Sequence, residues 1–181
     1  IENLFRDFDF VKQVFLVGDH KLFNTLLIYP NFESETLATK NFSENEMRDI
    51  FSSVVVTVNK FLAPFERIID FRIIDRPFSA EEGELTPKGT YKRRVIEKNF
   101  SSVIDGMYVK QYIELKNDSI NIRVPNWFLR EKGKLSDDIY LDGNNIYIAD
   151  EKPTLQVKRL ENQLYQIGDF IYEIKTHKID L

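Results

Sequence analysis

Apolar positions along the first half of the chain fall into short, sharply bounded sets. Ile1, Leu4, Phe5 and Phe8 recur at helical spacing with Glu2, Arg6 and Asp7 opposite, which predicts a helical face at the start. The runs Val11 to Val17 (VKQVFLV) and Thr25 to Tyr29 (TLLIY) are rich in β-branched and aromatic residues. With Gly18-Asp19-His20-Lys21 between them they predict an antiparallel strand pair. Pro30 ends the second strand, because proline cannot continue a central ladder. Ser43-Glu44-Asn45-Glu46 reads as a capping box opening a helix that runs to about Leu62. Its buried stripe is Met47, Ile50, Phe51, Val54, Val58 and Phe61, and Pro64 stops it. Ile68 to Ile74 (IIDFRII) is dense in β-branched residues and predicts a buried strand. Ser79 with Glu82 caps one short turn.

After Tyr108 the pattern changes. Tyr112 to Val124, Ile139 to Ile148 and Leu155 to Ile174 are dominated by alternation. Asp142-Gly143-Asn144-Asn145 fits a two-residue hairpin turn with Gly first, pairing Leu141 with Ile146 and Tyr140 with Tyr147. Glu161-Asn162 and Gly168-Asp169 read as further tight turns, with Phe170, Tyr172 and Ile174 on one face. The expected fold class is therefore α+β. A small sheet flanked by helices occupies residues 1–109, and a β-rich hairpin extension occupies 110–181.

Composition narrows the classes of function. The 181 residues are 43% hydrophobic with 15 Phe and 8 Tyr, enough for a packed core. The formal net charge of −4 argues against a general nucleic-acid binder. Cysteine is absent, which removes disulfides, thiolate metal sites and cysteine nucleophiles, and a cytoplasmic setting is expected. His20 and His177 stand far apart and near no carboxylate cluster, so both read as surface or turn residues and no metal site is expected. No apolar run reaches the roughly 20 residues that span a bilayer, and no signal peptide is recognisable. The chain opens on Ile inside a helical pattern and closes without a terminator, which reads as a segment of a longer polypeptide.

The stretch with candidate chemistry is Glu84 to Tyr108, ELTPKGTYKRRVIEKNFSSVIDGMY. Its turn, Thr86-Pro87-Lys88-Gly89, is accompanied by Lys88, Lys92, Arg93, Arg94 and Lys98 and leads into a helix-period series of Val95, Phe100, Val103, Ile104 and Met107. A basic loop feeding a helix suits phosphate or another anion. A solvated helix face beside an ordinary turn fits the same pattern.

The wording of Val58 to Phe100 favours the first reading. In order it carries Asn59, Glu66-Arg67-Ile68, Phe78-Ser79, Leu85-Thr86-Pro87 and Lys92-Arg93-Arg94. Upstream stand Ile1-Glu2, Val14-Phe15-Leu16-Val17-Gly18-Asp19 and Leu26-Leu27-Ile28-Tyr29-Pro30. Together these resemble the C-terminal domain of adenylate-forming (AMP-binding) enzymes, closest to the long-chain fatty acid–CoA ligases, over residues 1–108. The resemblance implies a lid that rotates against a large N-terminal adenylation domain of the same chain. That domain would bind ATP, Mg2+, coenzyme A and the fatty acid substrate, so the lid alone is expected to be inactive.

One position departs from the resemblance. Family members place a lysine just after a glycine in the final loop, where it approaches the carboxylate and α-phosphate during adenylation. Here Thr90 stands at that position, behind Gly89. Lys88 and Lys92 flank the gap and are the candidate catalytic residues, with Thr86, Gly89 and Thr90 facing the nucleotide or coenzyme A. In an extended loop, positions 88, 90 and 92 share a face at a displacement of about 7 Å. Three readings stay open: a shifted lysine, an enzyme that manages without it, and a noncatalytic binding or scaffold module retaining the lid fold. An anion or RNA binder is disfavoured by the acidic balance. Arg93 and Arg94 are expected to pack their stems on the lid, Glu66 and Arg67 to hold the strand entry, and Trp127 to anchor the extension.

Overall fold

A computed structural model describes residues 1–109, 111–116, 120–152, 154–174 and 178–181. His177 lies outside the described residues. The chain divides into two compact units, Ile1–Val109 and Lys110–Leu181.

The first unit is built on a three-stranded sheet. β1 (Val11–Val17) pairs antiparallel with β2 (Asn24–Pro30), with Phe15 opposite Leu27 and Val17 opposite Thr25. His20 takes a φ of 59° in the exposed turn between them. A short helix α1 (Glu35–Ala38), capped by Ser34, and the long helix α2 (Glu44–Asn59) then lead to β3 (Ile68–Ile73). β3 lies parallel to β2, so the strand order is β1-β2-β3.

Period two separates the faces of this sheet. Leu26 sits beside Phe71 on the side of α2, where Arg48 of α2 stacks 4.9 Å over the Phe71 ring. On the same side Phe51 of α2 meets Phe10 edge-on at 5.7 Å. The opposite face carries Phe15, Val17 and Leu27, which share a core with Ile96, Phe100, Ile104 and Met107. Ile96 belongs to α3 (Arg93–Asn99), Ile104 and Met107 belong to α4 (Ser101–Tyr108), and Phe100 joins the two helices. The layering is helix, sheet, helix.

Ser43 forms the expected capping box: its hydroxyl oxygen accepts from the Glu46 N–H, and the Glu46 carboxylate accepts from the Ser43 N–H at 2.9 Å. The Glu46 carboxyl is held down at about 2 by hydrogen bonds from Lys40 and Ser43. Ser43→Ala is expected to lower the unfolding free energy by about 1 kcal/mol, read by urea denaturation. An unchanged midpoint would show that the cap contributes nothing.

Several elements differ from the pattern reading. The opening segment is one 3-10 turn, Glu2–Phe5, in which Phe5 is buried and Leu4 exposed. α2 stops at Asn59 rather than near Leu62, and Phe61 is exposed. The cause is the buried Asn59 side chain. It donates to the Ile68 carbonyl at 2.7 Å and accepts from the Ile68 N–H at 2.9 Å, which ties the helix end to the start of β3. The expected single last helix is broken at Phe100 (φ −103°, ψ 18°), although its apolar stripe continues through the break.

The second unit contains β4 (Tyr112–Lys116), β5 (Asn121–Pro125), α5 (Asn126–Lys132), β6 (Ile139–Asp142) and β7 (Asn145–Ile148). It continues with β8 (Leu155–Arg159), β9 (Leu164–Ile167), β10 (Phe170–Glu173) and β11 (Lys178–Asp180). β6 to β10 form an antiparallel meander, while β11 joins β5 in parallel on the edge opposite β4. The Asp142–Asn145 turn pairs Leu141 with Ile146 and Tyr140 with Tyr147, and Gly143 takes the positive φ of 57° that a Gly-first turn requires. The alternation reading missed α5, which starts directly after Pro125 and ends on Gly133 in the left-handed region at φ 66°. Trp127 lies on α5 and is exposed.

Candidate functional site

Between β3 and α3 the chain rises into a small closed hairpin. The Gly89 N–H donates to the Thr86 carbonyl, and the Thr86 N–H donates to the Thr90 carbonyl, both at 2.8 Å. Leu85 and Tyr91 continue the pairing one step below. Pro87 presets the first turn position, Lys88 keeps a negative φ, and Gly89 sits at φ 78°. This is the three-residue hairpin loop in which a turn is followed by one left-handed residue.

The side chains of Thr86 and Thr90 close the same loop. The Thr90 N–H donates to the Thr86 hydroxyl oxygen at 3.1 Å, and the two hydroxyls are 3.0 Å apart in a hydrogen bond. An extended strand with 88, 90 and 92 on one face is therefore not what forms. Thr86, Gly89 and Thr90 come together, and Lys88 stands at the exposed tip. Lys92 is set apart at the foot, its N–H donating to the Glu84 carbonyl at 2.7 Å just before α3.

The foot of the hairpin is fixed by a buried carboxylate. Glu84 has no side-chain exposure and receives Arg76 through both carboxylate oxygens, at 2.7 and 2.9 Å. Asn99 of α3 donates to it at 2.9 Å and the Ser79 N–H at 3.1 Å. Burial pushes the Glu84 carboxyl up, but the hydrogen bonds from Arg76, Asn99 and Ser79 outweigh it and leave the group below its ordinary value of 4.5. Arg76 also stacks over Phe100 at 4.5 Å. One carboxylate thus joins the segment after β3, the hairpin and α3. Sequence reasoning missed this group: Glu84 and Arg76 are ordinary surface types until the fold brings Asn99 over them. Glu82, by contrast, is capped by the Ser79 hydroxyl at 3.1 Å as expected.

Arg93 is structural. Its guanidinium lies 4.4 Å over the Phe15 ring, pairs with Glu2 at 3.0 Å, and donates to the Leu16 carbonyl. Glu2 also accepts from the Leu16 N–H at 2.9 Å, so side chains occupy the outer edge of β1 there. Tyr91 packs against Phe15 and Phe78, and burial followed by the Glu2 charge pushes its phenol up. The Glu66 backbone carbonyl accepts from the Asn24 side chain at 2.8 Å, and the Glu66 carboxylate accepts from the Ala63 N–H at 3.2 Å.

What remains free is cationic. Lys88, Lys92, Arg94 and Lys98 are all exposed, and none of them forms an ion pair among the described residues. Beside the hairpin lies a cleft of about 330 Å³ lined by Glu2, Arg6, Lys12, Gln13, Thr90 and Tyr91 among others. Such a surface can present positive charge to an anion held elsewhere. Among the described residues no three His, Asp or Glu side chains gather as a metal site, and no helix is long and apolar enough to cross a membrane.

Residues 1–112 match the family model described as AMP-binding enzyme C-terminal domain. Two curated relatives are the long-chain-fatty-acid–CoA ligase FadD15 of Mycobacterium tuberculosis and that of Mycobacterium bovis. Each is 28% identical over 123 residues, covering 61% of this chain and 20% of the relative. The chain thus spans about a fifth of the length of the relatives it matches. Among solved structures, the adenylation domain of a carboxylate reductase from Mycobacterium chelonae superposes with a TM-score of 0.52 at 20% identity, over 60% of this chain and 17% of that one. At that identity the likeness concerns the fold.

Proposed function

The chain belongs to the AMP-binding enzyme C-terminal domain family, and from that premise we propose that it is the mobile lid of an ATP-dependent long-chain fatty acid–coenzyme A ligase. In the first half-reaction a fatty acid carboxylate oxygen attacks the α-phosphorus of ATP, the bond to the β-phosphate breaks, and pyrophosphate leaves. In the second, the coenzyme A thiolate attacks the acyl carbonyl, AMP leaves, and a thioester remains. ATP, coenzyme A and the fatty acid belong mainly to a large N-terminal adenylation domain, and a cytoplasmic setting goes with these co-substrates. Mg2+ belongs there too, with the phosphates of ATP. The lid contributes charge and water exclusion on closing.

The observation that supports this best is the hairpin: a closed, outward loop on a foot held by the buried Glu84, with exposed cations that form no ion pair among the described residues. Such a loop is suited to being carried as a rigid piece onto a site on another body. Thr90 supports a second reading. A hydroxyl cannot supply the charge of the family's lysine, which keeps a noncatalytic scaffold module in view.

Acid-dependent ATP–pyrophosphate exchange separates the two. The polypeptide uniting this chain with its adenylation domain is expected to catalyse exchange with long-chain fatty acids, and the 181-residue chain alone to catalyse none. No exchange in that polypeptide, none gained in Thr90→Lys, and no thioester formed from preformed acyl adenylate would favour the scaffold.

A further inference from the structure

The geometry points to Lys88 as the cation that the lid delivers to a carboxylate or phosphate oxygen of the reacting pair, with Thr86 and Thr90 as the residues that position it. This inference rests on the lid reading above.

Thr90 is already in use. Its carbonyl accepts from the Thr86 N–H, its N–H donates to the Thr86 hydroxyl oxygen, and its hydroxyl accepts from that of Thr86. The position that resembles the family's lysine has become part of the loop's own closure. A long cationic side chain there could not make the hydroxyl pair.

Lys92 is poorly placed to substitute. Its backbone is tied to Glu84 at the foot of the hairpin, and the next residue folds back over Phe15 and Glu2. Lys88, in contrast, occupies the tip, exposed and with no ion pair among the described residues. The two backbone hydrogen bonds that close the loop around it hold its backbone in the turn, with Pro87 presetting the first turn position and Gly89 supplying the left-handed one.

The closure therefore does two things at once. It removes the loop flexibility that would cost entropy on docking, and it projects one ammonium group outward on a fixed base. An ammonium serves as a compact point charge with three donors, which suits an oxygen anion approached from any side. In the adenylation step it would offset charge at the carboxylate and α-phosphate without taking or giving a proton.

The test uses the polypeptide uniting this chain with its adenylation domain, and measures two half-reactions separately: pyrophosphate exchange, and thioester formation from preformed acyl adenylate. Lys88→Ala is expected to lower exchange about 100-fold or more while thioester formation stays near wild type, which also shows that the variant folds. Lys92→Ala is expected to lose at least about tenfold less exchange than Lys88→Ala, because its backbone is tied to Glu84 at the foot of the loop. Thr86→Val is expected to lower kcat for exchange about five- to tenfold with little change in KM for ATP, and Thr86→Ser to restore it. Full exchange in Lys88→Ala of an active wild type overturns this inference and leaves the lid reading standing. So does a loss confined to Lys92→Ala. A wild type that forms thioester from adenylate but performs no exchange overturns the role of Lys88 alone. A wild type with neither half-reaction overturns the lid reading itself.

Discussion

Glu84→Ala is expected to lower the unfolding free energy of the chain by about 3 kcal/mol, measured by urea denaturation. The substitution leaves the Arg76 guanidinium, the Asn99 amide and the Ser79 N–H without their shared acceptor. Arg76 retains 37% side-chain exposure and can turn to water, which places the effect at the lower end of the range for a broken buried pair. The pH dependence has a definite sign. Because the folded group titrates below 4.5, the unfolded chain binds the proton first as pH falls. The contribution of Glu84 is therefore fully present above about pH 5 and is lost as pH drops through 4.5 toward the folded value. The gap between wild type and Glu84→Gln should shrink over the same interval. A Glu84→Ala midpoint within about 0.5 kcal/mol of wild type, or a gap that widens in acid, would sink this account.

Phe78→Ala is expected to cost about 3–5 kcal/mol. Phe78 is 2% exposed and meets three rings: Phe15 at 5.8 Å, Tyr91 at 5.4 Å and Phe100 at 5.4 Å. Those rings belong to β1, the hairpin and the break between α3 and α4, so the cavity would open where three elements converge. Gln13 holds Phe78 in place from β1. Its side chain accepts from the Phe78 N–H at 2.7 Å and donates to the Phe78 carbonyl at 3.2 Å, which limits how far the site can collapse. Thermal melts monitored by near-ultraviolet circular dichroism would report both the loss of stability and the disturbed aromatic packing. Phe78→Leu, which keeps most of the apolar volume, is expected to lose less. Equal losses in the two variants would show that ring contacts, rather than filled space, hold this corner.

These two residues mark where the sequence was legible and where it was not. β1, β2, β3 and the Ser43 cap were readable because each depends on neighbours within a few positions: alternating apolar residues, or a hydroxyl three residues before a glutamate. The end of α2 was not, because helical period alone carries the stripe on to Phe61, and what stops the helix is an amide bonded to a residue nine positions later. The break at Phe100 was hidden for a related reason. Ile96, Phe100, Ile104 and Met107 keep helical spacing straight through it. In the site itself the hairpin position and its cations were legible. Its shape was not, since an extended reading of 88, 90 and 92 ignores the hydroxyl pair that two threonines four residues apart can make. Glu84 opens the stretch singled out from the sequence, yet nothing local marks it as buried. Its partners stand eight residues before it and fifteen after.

The N–H and carbonyl of Leu16 are both taken by side chains, one from Glu2 and the other from Arg93. β1 is an outer strand, and bare outer strands recruit further strands from other molecules. Glu2 therefore acts as a stopper against sideways growth of the sheet. Shortening the chain from its beginning by even two residues would uncork that margin and free Arg93 as well. The expected consequence is increased self-association, visible by light scattering before any change in the core of the unit.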